Sequence, residues 1–122
     1  IAKTYKKLCK KYAYEDGDFM IRPAASAGEI IEEGRTLHHC VGGDNYLSRH
    51  SNGTSYILFM RYKKSPEIPL CTIEIKGKKI LQWYEAHDQK QDKEIIQPWL
   101  DKYIKHLKEE EHGTNRTELA AG

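Results

Sequence analysis

The residues best suited to chemistry lie in one short run, Leu37-His38-His39-Cys40-Val41-Gly42-Gly43. Two histidines precede a thiol, and Asp44 follows as the N-cap of a predicted helix. A helix N-terminus and a neighbouring imidazolium both lower a thiol pKa, which makes Cys40 a candidate nucleophile with His39 as its base. Gly42 and Gly43 let the backbone approach a ligand or form an anion nest. The competing assignment is a buried structural cysteine, because free cysteine packs well and an apolar Val41 follows it. His38 and His39 point to opposite sides if the segment is extended, so one of them packs rather than reacts.

His38, His39, Cys40, His50, Cys71 and His87 are all zinc-competent side chains, but none has the spacing of a zinc finger. No metal or other cofactor is expected; zinc survives as a minor alternative assembled from distant residues. Polar residues inside predicted strands form a second group. Arg61, Glu74 and Gln82, with Thr72, would make a ligand- or anion-binding pocket under the His39-Cys40 loop if the hairpin register puts them on one sheet face. A third group is basic. Lys3, Lys6, Lys7, Lys10 and Lys11 cover the outer face of the first predicted helix and are the candidate nucleic-acid contacts, with further lysines at 63–64, 76–79 and 102–108. A solvated lysine face is the plainer alternative.

Positioning these groups requires an α+β domain: a small antiparallel sheet flanked by helices. Tyr5, Leu8, Cys9 and Tyr12 recur at helical spacing, which predicts a helix over 2–13. Asp16-Gly17-Asp18 turns the chain, and a short strand over 18–22 stops at Pro23. Ser26 and Glu29 form a capping box for a helix over 27–34, with Gly34 as its terminator. A third helix covers 45–51. Strands rich in β-formers follow at 54–62, 70–76 and 79–85, joined as a meander with a tight turn at Gly77-Lys78. The spacing of Ile96, Trp99, Leu100, Tyr103, Ile104 and Leu107 predicts a last helix over 95–111, with Pro98 in its first turn or bending it. Gly113 ends it, residues 113–122 read as a polar tail, and 1–112 as one domain.

Composition narrows the functions available. The chain has 122 residues, 39% apolar and 31% charged, with Lys+Arg 20 against Asp+Glu 18. A net charge of +2 excludes a histone-like coat in which charge alone supplies affinity. The longest apolar run, Tyr56 to Met60, is far too short to span a bilayer, so no membrane insertion is expected. Three cysteines without a secretory signal point to a reducing cytosol, hence a cytoplasmic protein. The chain opens on Ile1 rather than Met and reads as a fragment of a longer protein.

The run from Glu33 to Gly43, taken with Tyr46, His50, Gly53, Ile57-Leu58-Phe59-Met60-Arg61, Pro69, Thr72-Ile73-Glu74 and Gln82, resembles the PcfJ-like family. The resemblance spans about residues 12–84 and is most specific at His39-Cys40-Val41-Gly42. It departs from the family pattern after Gln82, where Trp83-Tyr84-Glu85 replaces a turn containing Gly or Asn. Such proteins are encoded largely on bacterial conjugative plasmids, integrative elements and phages. The resemblance therefore implies a mobile-element accessory protein that binds a nucleic acid or a protein of the conjugation apparatus. It implies no particular reaction; a cysteine-dependent enzyme built on Cys40 and His39 is the alternative.

Overall fold

The computed structural model describes residues 2–37, 44–86 and 90–121, with side chains described over 4–37, 47–86 and 90–110. His38, His39, Cys40, Gly42, Gly43 and His87 lie outside the described residues. In chain order the elements are α1 (Ala2–Tyr12), β1 (Tyr14–Asp16), β2 (Phe19–Pro23), α2 (Ala27–Leu37), α3 (Asp44–Asn52), β3 (Tyr56–Tyr62), β4 (Cys71–Lys76), β5 (Lys79–Tyr84) and α4 (Lys93–Ala121). The strands form one antiparallel sheet in the order β1-β2-β3-β4-β5, which confirms the α+β class. The chain divides into two compact units, Ile1–Gln91 and Asp92–Gly122.

Side chains alternate across a pleated sheet, so the register fixes what each face carries. Leu58 faces Ile73, Met60 faces Cys71 and Ile73 faces Trp83, and all of these are buried. This is the dry face, where each fully buried large apolar side chain contributes about 1.5–3 kcal/mol relative to an exposed one. The other face carries Arg22 beside Phe59, Ile57 beside Glu74, and Glu74 beside Gln82. It is covered rather than wet. Ile30 of α2 and Leu47 of α3 pack with Ala24, Ile57 and Phe59 in a small apolar cluster.

Three differences from the sequence expectation exceed two residues. Helix α2 runs through Gly34 to Leu37 instead of stopping at Gly34. A terminating glycine adopts a left-handed backbone, as Gly53 does after α3 with φ 78°. Gly34 stays helical because it falls on the buried stripe Ile30, Glu33, Gly34, Leu37. The second difference is β1, a three-residue strand too short to leave a periodic signal, which pairs with β2 across the predicted Gly17 turn. Third, α4 continues past Gly113 to Ala121. A mid-helix glycine costs only about 1 kcal/mol relative to alanine, so it need not by itself end a helix.

Unit Asp92–Gly122 is that single helix. Asp92 accepts the first backbone bonds, from Ile95 and Ile96, and Pro98 is the sixth residue of the helix, beyond its first turn. The buried positions Ile96, Leu100, Tyr103 and Leu107 form one stripe at helical spacing.

Candidate functional site

The covered polar face of the sheet holds two ion-paired clusters, one under each helix that borders residues 38–43. The first hangs from α2. Arg61 and Glu33 are both buried and meet in a bidentate pair, with Arg61 Nη2 donating to Glu33 Oε1 at 2.6 Å and Nη1 donating to Oε2. The Nε of Arg61 donates to the Pro66 carbonyl at 3.1 Å, so each of the three guanidinium nitrogens makes a bond. Burial raises the Glu33 carboxyl above its ordinary value, against the pull of Arg61. One turn earlier on α2, Glu29 takes two bonds from Arg22, at 3.0 and 2.9 Å. Its Oε1 also accepts the Ala25 amide at 2.7 Å, while Ser26 Oγ caps the Glu29 amide at 3.2 Å. Burial alone would raise the Glu29 carboxyl; the bonds from Arg22 and Ala25 outweigh it and hold it low. Arg22 and Arg61 both lie over the Phe59 ring, about 5 Å from its centre.

The second cluster hangs from α3 and is centred on Glu74, a carboxylate only 4% exposed. Arg49 Nε donates to it at 2.7 Å and Arg49 Nη2 at 3.3 Å. Ser55 Oγ donates at 2.5 Å and Gln82 Nε2 at 2.9 Å. Desolvation opposes its charge, but these bonds prevail and hold the carboxyl below its usual range. Beside it, His50 Nδ1 accepts the Ile57 amide at 2.9 Å, and burial lowers the imidazole pKa. That hydrogen bond requires an unprotonated Nδ1, so burial and geometry agree on a neutral ring.

Concavities border these clusters among the described residues. A cleft of about 290 Å³ is lined by Arg22, Glu29, Glu33, Phe59, Arg61 and Glu67, among others. A larger cavity of about 460 Å³ lies between α1, the start of α2 and α3, and is lined by Tyr5, Leu8, Ala24, Ser26 and His50 with neighbouring small residues.

The hairpin register thus puts Arg61, Glu74 and Gln82 on one face, but in two separate clusters. Gln82 reaches Glu74, whereas Arg61 holds Glu33. Cys40, His39, Gly42 and Gly43 fall outside the described residues, as does the side chain of Lys3. Lys6, Lys7, Lys10 and Lys11 are exposed on α1. No group of three or more metal-ligating side chains occurs among the described residues. Cys71 is buried, and burial pushes its thiol well above the ordinary value, so it is a packing residue. Sequence reasoning missed Arg22 and Glu33 in the first cluster, and Arg49 and Ser55, which join Gln82 on Glu74, in the second. One signal was available: Glu33 stands on the apolar stripe of α2, where a lone carboxylate needs a buried partner.

These features define a small α+β fold whose helices α2 and α3 are clamped to the sheet by carboxylate–guanidinium pairs with buried carboxylates. The chain belongs to the PcfJ-like protein family, whose family model matches residues 2–100. It is also 40% identical, over 62 residues, to an uncharacterised protein of Listeria innocua serovar 6a. That match covers 51% of this chain and 14% of the Listeria protein. No solved structure matches the chain. No helix among the described residues is long and apolar enough to cross a membrane.

Proposed function

We propose that this PcfJ-like chain is a nucleic-acid-binding accessory domain of a mobile-element protein that serves conjugation or element maintenance. The observation that carries this is the distribution of charge. Residues 1–91 hold 15 Lys and Arg against 11 Asp and Glu, a net +4, while residues 92–122 hold 5 against 7, a net −2. All four arginines of the first unit, Arg22, Arg35, Arg49 and Arg61, pair with carboxylates. Its outward positive charge is therefore lysine, on α1 above all. Family membership supports the mobile-element setting through the resemblance to plasmid- and phage-encoded proteins.

Filter binding to single- and double-stranded DNA and RNA across salt tests this. Affinity should fall linearly on a log–log plot against salt, as phosphate contacts release counterions. No detectable binding at low salt overturns it and leaves a protein of the conjugation apparatus as the partner.

A cysteine-dependent reaction is the second reading, with Cys40 as nucleophile and His39 as base; Arg61 and Gln82, already bonded to Glu33 and Glu74, hold the supporting elements rather than an anionic substrate. It is favoured by the anchoring of α2 and α3, which border residues 38–43, since catalytic groups act best from rigid supports. Iodoacetamide labelling against pH in a Cys9→Ser background tests it, because Cys71 is buried and its thiol is held protonated. Rapid labelling well below the free-thiol pKa of about 8.5 supports an activated Cys40; slow labelling refutes it.

A further inference from the structure

We propose that the nucleic-acid surface is a composite of α1 and the β4–β5 turn, and that it grips the phosphate backbone of a duplex without reading bases. This rests on the nucleic-acid reading above and adds its second half and its ligand class. The two segments are far apart in sequence. They are joined where Tyr12 Oη, on a fully buried side chain, donates to the Gly77 carbonyl at 2.8 Å. Gly77 takes φ 61° in the turn, and Lys76 and Lys79 face each other directly across it. Both are exposed, as are Lys7, Lys10 and Lys11 on the helix.

Each half repels itself. Like charges directly opposite in a hairpin destabilise it, and so do like charges at i,i+4 on a helix. Lys76 with Lys79 is the first case; Lys6 with Lys10 and Lys7 with Lys11 are the second. Helix α1 contains no acidic residue to relieve this. Bringing two such segments together concentrates positive charge that a polyanion would neutralise. The aromatic residues at the junction are not stacking platforms. Tyr12 is buried and packs against Tyr56, and Tyr56 in turn meets His50 edge to face. Because Tyr12 and Tyr56, the rings at this junction, are engaged within the fold, contact is to phosphates, and a duplex offers the denser row of them.

The experiment is fluorescence anisotropy of the full chain on a duplex in two unrelated sequences and on a single strand of equal length, from low to moderate salt. The variants are K7Q/K10Q and K76Q/K79Q, with K63Q/K64Q as control, since Lys63 and Lys64 follow the opposite end of β3. Each test pair should lower the duplex salt slope by about 1.8, from about 0.9 per lost phosphate contact, and the control should leave it unchanged. The two duplex sequences should bind alike and better than the single strand. Removing mutual repulsion should keep or raise the melting temperature, so lost binding is not lost folding. If the wild type binds but K76Q/K79Q keeps its slope, the composite surface is wrong while the nucleic-acid reading stands. Tighter binding to the single strand, or a preference for one duplex sequence, overturns the duplex-backbone assignment. If the wild type binds neither nucleic acid, the broader reading falls too.

Discussion

At the scale of single residues, the charged side chains behave according to whether they are matched. Arg61 and Glu33 are both removed from water, so their value lies in each other. Arg61→Ala strands a buried carboxylate and should cost about 3–5 kcal/mol, whereas replacing both as Glu33→Leu with Arg61→Met should be near neutral. Urea midpoints of the two variants against the wild type check this; an equally large loss in the double variant would contradict it. His50 gives a pH signature. Burial lowers its pKa below that of the unfolded chain, so the unfolded state gains protons first as pH falls through about 6.5. Stability should therefore decline from neutral pH toward the folded-state value. His50→Asn, which keeps an acceptor for the Ile57 amide, should flatten that part of the urea-midpoint profile.

At the scale of elements, α2 and α3 are attached by discrete polar clamps as well as by the Ile30–Leu47 cluster. Arg49→Ala removes one clamp but leaves Glu74 with Ser55 and Gln82, so the expected loss is about 1–3 kcal/mol. Amide exchange should accelerate in α3 while β3 and β4 stay protected, since every residue from Ile57 to Arg61 and from Cys71 to Ile75 is buried. Uniform acceleration across the sheet would mean that α3 is not separately held. Helix α1 has a different tether. Tyr12→Phe deletes its bond to Gly77 and should lower stability by about 1 kcal/mol, read as a melting shift of a few degrees.

At the scale of the whole molecule, the ion-paired carboxylates set the acid limit of the fold. The folded-state pKa values of Glu29 and Glu74 are held below their ordinary value, so their contribution is present above about pH 4.5 and lost as pH falls through the folded values. Unfolding free energy should drop across that interval, and Glu74→Gln should start lower but fall less steeply. An unchanged slope in Glu74→Gln would remove Glu74 from that account. Charge is also divided unevenly: the near-neutral total conceals a basic first unit and an acidic last helix. Fold class, the β3-β4-β5 meander and most helix starts were legible because they follow from local periodicity and turn residues; β1 and its pairing were not. The polar clusters were less so. Arg61, Glu74 and Gln82 were identifiable as unusual strand residues, but their partners Glu33, Arg49 and Ser55 lie 28, 25 and 19 residues away from the groups they bond.

The amino-acid order by itself determined the meander, the amphipathic α1, the Ser26 cap and the family, because each is written in neighbouring residues. Gly34 and Gly113 show its limit: glycine permits a stop, and whether the helix stops is decided by what lies against it and beyond it. Tertiary structure alone decided that Arg61 holds Glu33 while Glu74 gathers Arg49, Ser55 and Gln82. It alone brought the Gly77 carbonyl to the Tyr12 hydroxyl. Pairings of this kind depend on strand register and helix placement, which are properties of the packed whole and leave no mark at short range.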